Sequence, residues 1–123
     1  MSESTTYISF YLSKGEMYVY NSAIVALGVP KCVQFRVHVD GTSMLMEPSD
    51  KKTFTSFRVP KMKNPDGVGR VRIYSKAFTH ILAARQHWDT SRSYRIPGRL
   101  LPGRKIAVFD LTQAEDVTME PYR

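Results

Sequence analysis

Two stretches of this 123-residue chain, GEMYVYNSAI at residues 15–24 and GRVRIYSKAF at residues 69–78, follow one pattern. Each begins with glycine, has apolar residues at its third, fifth and sixth positions, and closes on alanine and a large apolar residue. Both patterns predict a short strand that runs into a helix. The repetition, at an offset of 54 residues, predicts two related units. Chance similarity of two strand-to-helix junctions is the alternative.

The patterns around these stretches predict the same order of elements in both parts of the chain: strand, short capped helix, strand, turn, strand. We therefore expect an α+β fold, mainly β, in which tandem strand-helix-hairpin units form a small barrel-like domain. Residues 1–50 are the first β-rich unit and residues 51–123 the second, basic one. A chain of this length buries about two thirds of its unfolded surface, so we expect the two units to form one compact domain.

In the first unit, NSAIVALGV predicts a helix with Asn21 or Ser22 as its cap and Gly28 at its end. CVQFRVHVD predicts a strand with its valines, through Val39, on one side. Asp40-Gly41 predicts a hairpin turn into SMLMEP.

In the second unit, SKAFTHILAARQHW predicts a helix capped by Ser75. RSYRIP and RKIAVFDL predict two strands separated by GRLLPG. Thr112, followed three residues later by Glu115, predicts a capping box for a last helical turn.

The net charge of +7 is unevenly distributed. Residues 1–50 hold three basic and five acidic residues, whereas residues 51–123 hold 15 basic and six acidic ones. Such asymmetry favours a polyanionic partner, with nucleic acid first and an anionic membrane surface or an acidic protein second. A solvated basic face without a partner is the alternative.

No apolar stretch approaches the about 20 residues that a membrane-spanning helix needs. The N-terminal residues MSESTTYISF lack a basic leader followed by an apolar core. The one cysteine, Cys32, lies in an apolar run and predicts a small buried side chain. We expect a cytoplasmic protein with no membrane partner.

Residues 14–48 resemble the AbrB-like swapped-hairpin DNA-binding unit of transition-state regulators and MazE-type antitoxins. That family has Lys-Gly-Arg, a short strand, a helical turn ending in Leu-Gly-Ile, and two strands joined at Asp-Gly. The residues that fall in register are Lys14-Gly15, Met17, Val19, Leu27-Gly28-Val29, Asp40-Gly41 and Met44-Leu45-Met46.

The first unit departs from the family where the family contacts DNA. Glu16 stands in place of a basic residue, Tyr20 in place of proline, and Ile24 in place of a frequent arginine. A possible second copy at residues 69–110 restores the basic character.

The family pairs two chains by exchanging hairpins, and the MraZ regulators place two units in one chain. The resemblance therefore implies a barrel formed within one polypeptide, and we also expect a homodimer.

Basic residues interleaved with aromatic residues form the pattern that predicts nucleic-acid binding. Guanidinium groups bond phosphate oxygens in pairs, and alternate residues of a strand share a face. The candidate nucleic-acid-binding residues are Arg70, Arg72, Lys76, Arg85, Arg92, Arg95 and Arg99.

Other chemistry is less well supported by the sequence. His80 and His87 are two helical turns apart, about 10 Å, which is too far for one metal ion, and we expect no metal or cofactor. The sequence has no nucleophile arrangement or phosphate-cradling loop, so we expect a protein that is not an enzyme. Trp88 and the tyrosines are assigned to the core and its rim.

These observations predict a nonenzymatic DNA-binding transcriptional regulator that contacts phosphates through its basic second unit. One alternative is an interaction module that binds an acidic protein through the same basic face. An enzyme acting on a small anionic substrate is the other.

Overall fold

Nine strands form one antiparallel sheet in a computed structural model that describes residues 4–51, 53–62, 69–101 and 103–119. The strands are β1 (Ser4–Tyr11), β2 (Glu16–Tyr20), β3 (Cys32–Val37), β4 (Ser43–Pro48), β5 (Ser56–Arg58), β6 (Arg70–Tyr74), β7 (Ser93–Leu100), β8 (Ala107–Asp110) and β9 (Glu115–Asp116). The helices are α1 (Asn21–Ala26) and α2 (Lys76–Gln86), and single 3₁₀ turns lie at Leu12–Lys14 and Leu111–Gln113. Within these residues no helix is long and apolar enough to cross a membrane.

The sheet has the order β5-β3-β4-β8-β7-β1-β2-β6, with β9 added beside β7. It curls into a nearly closed barrel, so the predicted mainly-β α+β class is confirmed. The two ends of the sheet, β5 and β6, line one groove together. The barrel is therefore interrupted between these two strands.

Alternate residues of the strands fill the interior, as the strand period requires. Ile8 and Phe10 on β1 and Met17 and Val19 on β2 are completely buried. Gly98 lies opposite Phe109 and leaves space for its ring, because a Cβ on Gly98 would lie only 2.5 Å from Phe109 Cδ1.

The two predicted units interleave rather than stand side by side. Strand β2 pairs with β6, and β4 pairs with β8. Tyr18 lies directly opposite Arg72, the residue 54 positions further along the chain. The 54-residue offset between the two sequence patterns is thus the separation of the central residue pair of β2 and β6. Duplication itself stays a prediction.

The repeated glycines have reciprocal places in the fold. The Gly15 carbonyl accepts a hydrogen bond from Ser75 N at 2.9 Å, and the Gly69 carbonyl accepts one from Asn21 N at 2.9 Å. A Cβ on Gly15 would lie 2.9 Å from Lys76 Cα, and one on Gly69 would lie 3.1 Å from Asn21 Nδ2. Each glycine therefore lets its strand approach the start of the other unit's helix.

The helix predictions hold in part. Ser75 caps α2, its side chain accepting from Phe78 N at 3.1 Å, and Gly28 adopts the left-handed conformation with φ 84°. The predicted cap of α1 is wrong, because Asn21 is the first residue of that helix and no described side chain caps it. A polar side chain cannot act as the cap once its own residue has helical geometry.

Two strand-level predictions are corrected. Strand β3 ends at Val37, and Val39 lies in the turn with 89% of its surface exposed. Strand β7 continues through Gly98 to Leu100 rather than stopping at Pro97, since its partner β8 pairs with these last residues.

At the C-terminal side, Asp110 rather than Thr112 caps the 3₁₀ turn. The Asp110 carboxylate accepts from Thr112 N at 3.0 Å. Glu115 lies in β9 rather than in a helix, and pairs with Arg95 of β7. The connection KMKNPDGVG at residues 61–69, in which Pro65, Asp66, Gly67 and Gly69 predict turns, lies largely outside the described residues.

Candidate nucleic-acid interface

Strand β6 presents its two arginines on the outer surface of the barrel. Val71 and Ile73 are buried, while Arg70 and Arg72 are exposed. This alternation is the one expected for a strand with one buried face. The structure therefore places Arg70 and Arg72 on one face, as the sequence predicts.

Beside these arginines lies a group of tyrosines from β1 and β2. The rings of Tyr7 and Tyr20 are 5.5 Å apart between centroids, and those of Tyr11 and Tyr18 are 5.0 Å apart. All four are only partly buried, whereas the residues that alternate with them fill the core. We name this surface the tyrosine-arginine face: Tyr7, Tyr11, Tyr18, Tyr20, Arg70 and Arg72.

Arg70 packs against the rings of this face. Its guanidinium carbon lies 4.6 Å from the centroid of the Tyr18 ring and 5.9 Å from that of Tyr11. Its Nη1 also donates to the Tyr11 hydroxyl at 3.1 Å. These contacts fix the guanidinium plane on an aromatic surface, and no described carboxylate pairs with it.

Arg72 is paired with Glu16, a carboxylate beside the face. Its Nη1 lies 3.3 Å from Glu16 Oε2, and the Tyr18 hydroxyl donates to Glu16 Oε1 at 3.3 Å. Burial, and then the Glu16 charge, raise the pKa of Tyr18. Tyr18 is therefore a neutral hydrogen-bond donor at physiological pH. The Glu16 carboxylate partly neutralises the charge of Arg72.

Two arginines, Arg92 just before β7 and Arg95 within it, are paired with the acidic residues of the short strand β9. Arg92 Nε contacts Asp116, and Arg95 Nη2 lies 2.6 Å from Glu115 Oε1. Arg95 also lies 5.5 Å from the ring of Tyr7, at the edge of the tyrosine-arginine face. Arg99 is exposed further along β7. Since their charges are partly neutralised, Arg92 and Arg95 are weaker candidates than Arg70.

The two basic residues of α2 are not close to each other. Lys76 begins the helix against Gly15. Arg85 lies in its last turn, about 14 Å away by the helical rise, next to Gln86, which donates to the Gly41 carbonyl at 2.9 Å. The predicted set of seven residues therefore divides into separate surfaces.

The sequence assigned the tyrosines to the core and its rim and did not place those of β1 and β2 together on the outer surface. Trp88 does pack inward, 5.7 Å from Phe10 and 5.1 Å from Tyr94. The tyrosines of β1 and β2, however, occupy the positions between core residues. Alternation in YISFY and MYVY was the signal that could have placed them outside.

Two of the three histidines, His38 and His80, have protein partners. The His80 Nε2 lies 3.0 Å from the Leu12 carbonyl oxygen, and His38 contacts Asp40. Over the described parts of the chain, no three histidine, cysteine or acidic side chains come together to hold a metal ion.

Comparison of the chain with protein-family models, with curated proteins and with solved structures finds no match. The AbrB-like resemblance therefore stays a prediction.

Proposed function

We propose that this protein binds DNA without catalysing a reaction and that the tyrosine-arginine face is its contact surface. A role in transcriptional regulation is what the AbrB-like resemblance implies for such a protein. The observation that carries the proposal is the placing of Arg70 and Arg72 beside four outward-facing tyrosines.

Each part of the face has a separate contribution to binding. Arg70 and Arg72 supply charge for phosphate oxygens. The tyrosine rings offer flat surfaces on which unpaired bases stack, and each stacked base contributes about 1–3 kcal/mol. Because a duplex hides its base faces, we expect a single strand to bind more tightly than a duplex of the same length.

The local charge supports the same conclusion. Among the described residues, Glu16 is the acidic residue that pairs with an arginine of the face, and its side chain is only 14% exposed. The acidic residues of β9 lie beyond β7 and are already paired with arginines. An incoming phosphate chain therefore meets Arg70 and Arg72 before it meets an exposed carboxylate of this region.

The experiment is a fluorescence anisotropy titration of a labelled oligothymidylate at several salt concentrations. We expect the Arg70→Ala/Arg72→Ala variant to bind more weakly. Its slope of log K against log salt should be shallower by about 1.4, or about 0.7 for each lost phosphate contact on a single strand.

The matched control removes two exposed arginines elsewhere, Arg36→Ala/Arg104→Ala, and thus the same charge. Equal weakening of oligothymidylate binding in both variants would show that net charge alone accounts for the loss, and would contradict the proposed site. No binding by the unmodified protein at about 50 mM salt, where phosphate contacts are strongest, would overturn the function itself.

A further inference from the structure

The two end strands of the sheet, β5 and β6, enclose a groove of about 630 Å³. Each is paired on one side only among the described residues, β5 with β3 and β6 with β2. The groove is lined by Lys31, Phe57, Arg58, Val59, Pro60, Lys61, Arg72, Ile73 and Tyr74.

The backbone on both sides of the groove has hydrogen-bonding groups that face it. Just after β5, Val59 N donates to the Lys31 carbonyl at 2.8 Å. Because antiparallel partners alternate along a strand, the N–H and C=O of Arg58 point away from β3.

The same alternation applies to β6. The bonds from Ser75 N to Gly15 and from Asn21 N to Gly69 place the odd-numbered residues of β6 toward β2. The N–H and C=O of Arg72 therefore point into the groove, opposite the edge that Arg58 presents.

Charge and proline explain why the two edges do not pair with each other. Arg58 lines the groove from β5, and Arg72 lines it from β6.

Direct pairing of the two edges would bring these like charges together. Like charges directly opposite each other destabilise a strand pair, and Pro60 has no N–H to donate.

We propose that this groove binds an extended peptide strand in which apolar and acidic residues alternate. Its inward residues pack between Phe57 and Ile73, and its outward carboxylates lie between Arg58 and Arg72. This site shares Arg72 with the proposed DNA contact surface and otherwise consists of different residues.

Two observations favour a peptide over a nucleic acid strand here. The edges of β5 and β6 offer alternating donors and acceptors, which a peptide backbone matches and a phosphodiester chain does not. The groove also has apolar lining between its basic residues. Lys31, Arg58 and Lys61 have no ion pair with any described residue, so their charges are available to carboxylates.

The test is a titration of the whole protein with a labelled nine-residue peptide of alternating glutamate and valine. We expect this peptide to bind, and we expect its lysine-valine counterpart and a peptide with its glutamates and valines in two blocks to bind much more weakly. Equal binding of the alternating and block peptides would overturn the proposal, because charge alone would then account for it.

Variants locate the site. Arg58→Glu should weaken peptide binding by about tenfold or more, as expected when a carboxylate partner is replaced by a like charge. Arg104→Glu, an exposed position outside the groove, should leave the affinity within about twofold. Equal loss in both variants would overturn the proposal.

Amide signals report the backbone contact directly. In ¹H–¹⁵N spectra the peptide should shift and protect the amides of Arg58 and Arg72 and leave that of Tyr7 unchanged. If oligothymidylate rather than the peptide protects these two amides, the groove binds nucleic acid and the peptide proposal is wrong. The DNA-binding proposal fails separately, if Arg70→Ala/Arg72→Ala leaves oligonucleotide affinity unchanged.

Discussion

At the scale of single residues, the repeated glycines explain why the chain contains one pattern twice. Gly15 and Gly69 each approach the beginning of the helix in the other unit, where a Cβ has little or no room. Gly15 has φ 66°, a conformation that residues with a Cβ adopt at a cost of about 1–2 kcal/mol.

Gly15→Ala should therefore lower the free energy of unfolding by more than this backbone cost, because the new Cβ meets the backbone of Lys76. Gly103→Ala is the matched control, since Gly103 has φ 71° and nothing within 4 Å of its Cβ position. Urea unfolding should give a loss of about 1–2 kcal/mol for Gly103→Ala and a larger one for Gly15→Ala. Equal losses would show that the close approach has no energetic consequence.

A second residue-scale prediction concerns the tyrosines. Tyr18→Ala/Tyr20→Ala should weaken binding of oligothymidylate by about 1–3 kcal/mol for each base that loses its stacking partner. Phe54→Ala is the control, because Phe54 is an exposed aromatic outside the tyrosine-arginine face. Anisotropy titrations with unchanged affinity for the double tyrosine variant would exclude stacking on this surface.

At the scale of elements, β9 is held to β7 by carboxylates and arginines. Hydrogen bonds from the Thr118 side chain and backbone, and then contact with Arg92, lower the pKa of Asp116 from 3.8 to about 2. A carboxyl with a lowered pKa in the folded state stabilises the protein above its unfolded pKa. That contribution is lost as the pH falls toward about 2.

We therefore expect the protein to lose stability between about pH 4 and pH 2, and Asp116→Asn to lose less over that interval. Other carboxyl groups with a lowered pKa, including Asp40 with a pKa of about 2, contribute equally to the stability-against-pH curves of the unmodified protein and the variant. The difference between the two curves therefore isolates Asp116. Denaturant unfolding at several pH values measures it, and parallel curves would contradict the role assigned to β9.

The elements also show how far the sequence could predict this fold. Alternation of apolar and polar residues predicted the strands, and Ser75 and Gly28 predicted the beginning of α2 and the end of α1. These predictions succeed because the signals are local in the sequence. Continuation of β7 through Gly98 depends on Phe109 in another strand, which no local pattern contains. The cap by Asp110 and the pairing of Glu115 with Arg95 depend in the same way on tertiary contacts.

At the scale of the whole molecule, the two units are joined through β2 with β6 and β4 with β8. The sequence predicted the arginines of the candidate site but not their neighbours, because Tyr7 and Arg70 are distant in sequence and meet only after β1, β2 and β6 assemble. The division of charge between the units predicts a basic face on the second unit. Within that unit, the acidic residues of β9 partly neutralise Arg92 and Arg95.

The homodimer stays a prediction at this scale. Light scattering should give about twice the 14.1 kDa mass of the chain if free strand edges or other surfaces associate. A single 14.1 kDa species at high concentration would contradict it.

The most direct test of the proposed DNA contact is a ¹H–¹⁵N titration of the protein with oligothymidylate at about 50 mM salt, where phosphate contacts are strong. We predict that the largest shift changes fall on the tyrosine-arginine face, at Tyr18, Tyr20 and Arg70, with Arg85 at the far end of α2 unaffected. An unchanged spectrum, or changes centred on Arg85 and Arg104 instead, would contradict the proposal.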